Sequence, residues 1–105
     1  MHEHFSEQTL QEAITGILES AVMQVCARRP NGSRKSFAEA CGMSYQEITN
    51  RFKGITKMKF REMGAMLKVI KDWDEEIYAW AVREIVFGTM EKVHQMSMFI
   101  LPFLI

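Results

Sequence analysis

One stretch, residues 36–54 (SFAEACGMSYQEITNRFKG), constrains the fold of this chain more than any other. A short helical pattern ends at Cys41 and Gly42, and a second one begins immediately after Ser44. Glycine adopts the left-handed backbone conformation without a steric cost, so Gly42 predicts a sharp end to the first helix. Ser44 and Glu47, three residues apart, have the spacing of a capping box at the start of the second helix. The stretch therefore predicts two short helices joined by a tight turn.

Apolar residues at helical spacing extend this pattern to an all-α bundle of about five helices, with no strand. The first helix is expected to begin after Ser6 and to end at the stop signal Arg29-Pro30-Asn31-Gly32. The others are predicted at about 34–41, 45–53 and 57–71, with the last beginning after Asp72 or Asp74. On the fourth helix, the apolar face is expected to comprise Phe60, Met63, Leu67 and Ile70.

Charge is segregated along the chain although the net charge is zero. Residues 28–71 carry eleven Lys and Arg against three Glu, a net charge of +8, and the flanking residues carry the opposite −8. Such a basic block is the electrostatic pattern that a polyanion-binding surface needs. A solvated basic face with no partner is the alternative, and charge alone does not decide between the two.

Two helices joined by a glycine-containing turn are the helix-turn-helix arrangement, in which the second helix contacts DNA. The second helix of the stretch is rich in amide and hydroxyl side chains, which can hydrogen-bond to base edges. The inward set is predicted to be Phe37, Cys41, Met43, Ile48 and Phe52, and the outward set Tyr45, Gln46, Thr49, Asn50 and Lys53. The alternative is a helical corner that touches no nucleic acid.

The same residues carry a resemblance to a known family. Ala38, Gly42 and Ile48 occupy the fifth, ninth and fifteenth places of the helix-turn-helix pattern of lambda-repressor-like phage regulators. The segments AEACGM and ITNRFK are similar to parts of the CII-type transcriptional activators in that family, and MLKVIKDW resembles the helix that follows. The resemblance covers about residues 33–80. It departs from the family at Arg34, where Gln is common, and at Arg51, where an apolar residue is usual.

The resemblance implies a sequence-specific transcriptional regulator, repressor or activator, that binds double-stranded DNA. Its implied base contacts are Tyr45, Gln46, Thr49 and Asn50. Its implied phosphate contacts are Arg34, Lys35, Lys53, Lys57 and Lys59. A homo-oligomer, dimer or tetramer, is the expected binding form, and RNA polymerase would be a further partner of an activator.

The chain divides by pattern into residues 1–88, a helical DNA-binding domain with its helix-turn-helix at about 34–53, and an apolar segment, 89–105. Gly88 is expected to break or bend the chain between them. The segment ends in MSMFILPFLI, which would form an exposed apolar patch in a monomer. Packing against a partner subunit, folding back over Trp73 and Trp80, and serving as a mobile protease tag are three fates that the sequence leaves open.

Other functions find little support in the sequence. We expect no enzyme, cofactor or metal site, because the chain has no Gly-rich phosphate loop and no metal-ligand spacing. Cys26 and Cys41 are expected to be reduced core residues, and His94 a structural one. Met1-His2-Glu3-His4 lacks the basic start and apolar run of a signal peptide, and the C-terminal apolar run is too short to span a bilayer, so a cytoplasmic location without membrane contact is expected.

A protein–protein adaptor or antirepressor is the second functional hypothesis. Nine methionines are compatible with an adaptable protein-binding surface, although methionine also fills gaps in a core. The two hypotheses differ in their dependence on salt, because DNA binding releases counterions and hydrophobic association does not.

Overall fold

A computed structural model describes the backbone of residues 7–104 and the side chains of residues 10–89. Within this range the chain forms five helices and no strand. The helices are α1 (Glu7–Arg28), α2 (Arg34–Ala40), α3 (Tyr45–Lys53), α4 (Phe60–Trp73) and α5 (Glu75–Leu104). The all-α prediction is therefore confirmed, whereas the predicted N-cap Ser6 lies outside the described residues.

Helix α1 is the centre of the bundle. It packs against each of the other four helices, and its contacts with α5 are the most extensive. The buried core combines side chains of all five helices with one from the α3–α4 loop: Leu18, Ala21, Val22, Val25, Phe37, Ala38, Ile48, Met58, Met63, Met66, Val69, Ile70, Ile77 and Ala81. Phe37 of α2 meets Trp73 of α4 edge to face, with ring centroids 5.4 Å apart. Because α2 and α3 both rest on α1, the core determines which face of α3 remains outside.

The turn after α1 forms as its sequence predicts. Asn31 adopts a left-handed conformation with φ 61°, and the amide of Gly32 donates to the carbonyl of Arg29 at 2.9 Å. A Cβ at Gly32 would lie 2.6 Å from the carbonyl oxygen of Cys26, so no larger residue fits there without a backbone shift. Ser33 then caps α2 by accepting a hydrogen bond from the amide of Ser36 at 3.1 Å.

Asp74 marks the junction between α4 and α5. Its Oδ1 accepts hydrogen bonds from the amides of Glu76 and Ile77, at 3.0 and 3.1 Å. The bond from the Ile77 amide is the main reason that the pKa of Asp74 lies below its usual value. Arg28, at the end of α1, reaches the other carboxylate oxygen at 3.4 Å. The end of α1 is thereby linked to the start of α5.

Three expectations about α4 and α5 are wrong. Helix α4 begins at Phe60 rather than at Lys57, because Gly54 ends α3 and residues 54–59 form a loop. Phe60, at the first turn of α4, is 68% exposed and does not belong to the inner face. The other three residues predicted for that face do belong to it, since Met63 and Ile70 are buried and Leu67 is partly buried against the core. Met66 and Val69 complete the buried side of α4. Helix α5 continues through Gly88 without a break. The cost of a helical glycine is only about 1 kcal/mol, which packing on α1 can offset.

The described part of the chain contains no helix that is both long and apolar enough to cross a membrane. Helix α5 is the longest, with 30 residues. The proposed boundary between residues 88 and 89 therefore lies within one continuous helix.

Candidate nucleic-acid interface

The turn between α2 and α3 is built around Gly42. Its φ is 77°, in the left-handed region that glycine adopts most readily. The amide of Met43 donates to the carbonyl of Ala38 at 2.9 Å, and the amide of Gly42 donates to that of Glu39 at 3.0 Å. This pair of bonds is a Schellman motif, which satisfies the last carbonyls of α2. Ala38 is completely buried, so the two helices approach closely at this point.

A capping box begins α3, as its sequence predicts. The hydroxyl of Ser44 accepts from the amide of Glu47 at 3.0 Å, and the amide of Ser44 donates to the carboxylate of Glu47 at 2.8 Å. The bond from the Ser44 amide is the main cause of the lowered pKa of Glu47. Two reciprocal hydrogen bonds thus fix where α3 begins and at what angle it leaves the turn.

The solvent-facing side of α3 carries an amide pair. Tyr45, Gln46 and Lys53 are exposed, and Asn50 is partly exposed. The Nε2 of Gln46 donates a hydrogen bond to the Oδ1 of Asn50 at 2.9 Å. An amide oxygen has two lone pairs and an amide nitrogen two hydrogens, so Asn50 keeps one acceptor site and both donors for a ligand.

Thr49 does not belong to this surface, and the prediction that it faces outward is wrong. Thr49 is only 8% exposed and follows the fully buried Ile48, because this side of α3 packs toward the bundle. The Oγ1 of Thr49 has no hydrogen-bond partner among the described residues. A buried hydroxyl cannot contact a base edge unless α3 moves.

The predicted phosphate-binding residues separate into two groups. Arg34 is engaged within the chain: its guanidinium lies 3.5 Å from the carboxylate of Glu19 and 5.2 Å from the ring centroid of Phe52. The remaining four lie at the start of α2, at the end of α3 and in the α3–α4 loop. They are exposed and have no carboxylate within 4.0 Å among residues 10–89: Lys35, Lys53, Lys57 and Lys59.

Arg51 has a partner that sequence reasoning did not identify. Its Nε and Nη2 donate to the two carboxylate oxygens of Glu62 in α4, at 3.0 and 2.9 Å. The side chains of Arg51 and Glu62 are only 12% and 14% exposed. The hydrogen bonds from Arg51 are the main cause of the lowered pKa of Glu62. Arg51 therefore belongs to the fold rather than to the open basic surface.

A cleft of about 600 Å³ lies between α1 and the α3–α4 loop, residues 54–59. Gln11 and Met58 both line this cleft, and the Nε2 of Gln11 donates to the carbonyl of Met58. This buried hydrogen bond of 3.0 Å joins α1 to the loop. Ile55 lines the same cleft and is 69% exposed. The loop is therefore attached to the bundle while its lysines and Ile55 face solvent.

The cysteines and acidic residues form no second site in the described range. Cys26 and Cys41 are free thiols, each partly buried against the core. Burial raises the pKa of Cys41 to about 11 and also raises that of Cys26. Among the described residues, no three His, Cys, Asp or Glu side chains lie close enough together to hold a metal ion.

No family model matches this chain, and neither a curated protein nor a solved structure matches it. The resemblance of residues 33–80 to lambda-repressor-like regulators therefore stays a prediction. The function of the α3 surface has to be inferred from its own side chains. These are an outward amide pair on a capped helix and surrounding lysines that pair with no carboxylate in the described part of the chain.

Proposed function

We propose that this chain is a sequence-specific DNA-binding transcriptional regulator of the phage or prophage type. In this proposal α2 and α3 form a helix-turn-helix, and α3 lies in the major groove. The observation that carries it is the division of α3 into two faces. Ile48 and Thr49 are buried against the bundle, while the hydrogen-bonded pair Gln46–Asn50 lies outside. An exposed amide can form two hydrogen bonds to one adenine, which is a base-specific contact.

Lysines around α3 supply the second part of the proposal. Lys53 ends the helix, and Lys57 and Lys59 follow in the loop. Since no described carboxylate pairs with them, each can contact a phosphate without first losing an ion pair. Phosphate contacts fix the position of a helix in the groove, and base contacts then confer specificity. Arg34 would join this set only by leaving Glu19.

A homo-oligomer is part of the proposal. One recognition helix buries too little surface for tight specific binding, and two-fold symmetric dimers commonly bind paired half-sites. Val86 and Phe87 are exposed on α5 immediately before the apolar segment 89–105. The side chains of residues 90–105 lie outside the described range, so the segment contributes only its helical backbone, to Leu104, and its apolar sequence.

Selection of bound sequences from random duplex DNA tests the proposal. The selected site should be bound far more tightly than random DNA, and its affinity should fall steeply with salt. Lys57→Ala should reduce the magnitude of the salt slope by about 1. Lys68→Ala, an exposed lysine of α4 outside the proposed interface, is the matched control and should leave the slope unchanged. Failure to enrich any sequence, with no salt-dependent binding, would reject the function.

A protein-binding role is the alternative, and one observation favours it. Ile55 and Phe60 are large apolar residues that are 69% and 68% exposed beside the loop lysines. Phosphates do not require apolar contacts, whereas protein interfaces are organised around them. An adaptor or antirepressor would show binding with little salt dependence, lost in Ile55→Asp or Phe60→Asp and retained in Asn50→Ala.

A further inference from the structure

The carboxylate of Glu62 joins three parts of the structure. Its Oε1 accepts from the Nε of Arg51 at 3.0 Å and from the backbone amide of Lys59 at 2.9 Å. Its Oε2 accepts from the Nη2 of Arg51 at 2.9 Å. Arg51 lies on α3, Lys59 ends the loop, and Glu62 lies on the first turn of α4. One side chain therefore fixes α3, the loop and α4 relative to one another.

Other hydrogen bonds hold the rest of the α3–α4 loop. The amides of Ile55 and Thr56 both donate to the carbonyl of Asn50, at 3.0 and 3.3 Å. Gln11 of α1 holds the carbonyl of Met58 at 3.0 Å, and the Met58 side chain is buried. The loop is thus tied at its beginning, its middle and its end. The side chains of Lys57 and Lys59 are exposed and form no ion pair with a described carboxylate.

Stability is not the only contribution that an ion pair at this place can make. The free-energy cost of removing two charges from water offsets most of their attraction. Well-packed apolar residues in the same place therefore often stabilise a fold as much as a buried ion pair, or more. What an Arg–carboxylate pair adds is geometry, because two parallel hydrogen bonds fix both distance and orientation. The pair is bidentate and its side chains are largely buried, so the constraint is well defined.

We propose that Arg51 and Glu62 are positioning residues for DNA recognition, a proposal that rests on the proposed function. They set the loop relative to α3 so that Lys57 and Lys59 reach phosphates while Gln46 and Asn50 contact bases. Neither Arg51 nor Glu62 touches DNA in this arrangement. Their effect is to let phosphate and base contacts form at the same time.

The test compares the wild type with the double variant Arg51→Met/Glu62→Leu. This variant removes the ion pair and replaces it by apolar side chains of similar size. The first measurement is hydrogen exchange at the amides of residues 55–59, which requires no DNA. The second is the salt slope on the selected site. We expect exchange at Lys59 to rise by about tenfold or more, because its amide loses its acceptor. The salt slope should fall in magnitude by about 2, corresponding to two lost phosphate contacts.

Arg28→Met is the matched control, because it removes an exposed ion pair to Asp74 far from the loop in sequence. It should change neither loop exchange nor the salt slope. If the double variant melts at a lower temperature but binds with the wild-type salt slope and the same preference over random DNA, the pair is structural only and the proposal fails. Unchanged loop exchange would also overturn it. Absence of wild-type binding to any duplex would instead overturn the proposed function, while the exchange data still decide whether the loop is tethered.

Discussion

The side-chain amide of Gln46 donates a 2.9 Å hydrogen bond to Asn50, one helical turn further along the exposed face of α3. The bond restrains the Asn50 side chain before any ligand arrives, so less conformational entropy is lost on binding. It also means that the two residues act as a unit. Their contributions to recognition should therefore not be additive.

The first prediction concerns this amide pair. Asn50→Ala should weaken binding to the selected site by roughly 1–3 kcal/mol and binding to random DNA very little. Gln46→Ala should also weaken specific binding, and the double variant should lose less than the sum of the two, as measured in a double-mutant cycle by fluorescence anisotropy. Lys57→Ala is the comparison, because it should weaken both kinds of DNA about equally. An equal loss on both kinds of DNA for Asn50→Ala would remove this residue from the specificity set.

The second prediction concerns Gly42. A non-glycine residue in its left-handed conformation costs about 1–2 kcal/mol, so Gly42→Val should lower the melting temperature and abolish specific binding. No heavy atom lies within 4 Å of a Cβ placed there, so the cost comes from the backbone and not from a clash. Gly42→Asn is the matched control, since asparagine tolerates this conformation far better. Retained operator affinity in Gly42→Val would contradict the assignment of α2 and α3 as a helix-turn-helix.

The third prediction uses the buried hydroxyl of Thr49. Thr49→Val replaces an Oγ1 that has no hydrogen-bond partner among the described residues by a methyl group of similar shape. The free energy of unfolding should therefore rise by about 0.5–1 kcal/mol. Denaturant unfolding measures this change, and DNA affinity should stay the same. Thr49→Ser keeps the hydroxyl and loses the methyl group, so it should destabilise the fold. A loss of base-specific binding in Thr49→Val would show that α3 turns this residue outward on DNA.

The fourth prediction concerns acid. The pKa of Glu62 is lowered in the folded state, so its ion pair stabilises the fold above the pKa of the unfolded chain. The stabilisation by the ion pair should begin to decrease as pH falls below about 4, the ordinary pKa of a glutamate. It should be lost as pH falls further, through the lower pKa of Glu62 in the folded state. Glu62→Gln should be less stable than the wild type at neutral pH, with the difference shrinking in acid, as followed by urea titrations at several pH values. Glu39→Gln, an exposed glutamate of α2, controls for the loss of one charge. A constant difference across this pH range would contradict the role of the Glu62 carboxylate.

The fifth prediction concerns the end of α5. If residues 97–105 join a partner subunit, deleting them should convert a dimer or tetramer into a folded monomer with weaker operator binding. Light scattering measures the mass and circular dichroism the fold. An unfolded product would indicate that the segment packs within its own subunit, and an unchanged oligomer would exclude any role in assembly.

The local features of the candidate site could be predicted from the sequence. Gly42, the Ser33 cap and the capping box of Ser44 and Glu47 depend on hydrogen bonds between residues at most five apart, so residue type and spacing suffice. The bounds of α3 follow from the same short-range chemistry. The outward position of Gln46 follows from helical periodicity once Ile48 is placed inside.

Only the tertiary structure decided the features that depend on distant parts of the chain. Thr49 is buried because α3 packs against the bundle. Neither the position of Thr49 in the helical pattern nor its polar side chain predicts this burial. Arg51 pairs with Glu62, eleven residues away on the next helix, so this cation of the basic block is a structural link. Phe60 is exposed although its helical spacing from the buried Met63 predicted that it would be buried. Short-range hydrogen bonds are encoded by neighbours in the sequence, whereas burial and ion pairing are determined by which helices meet.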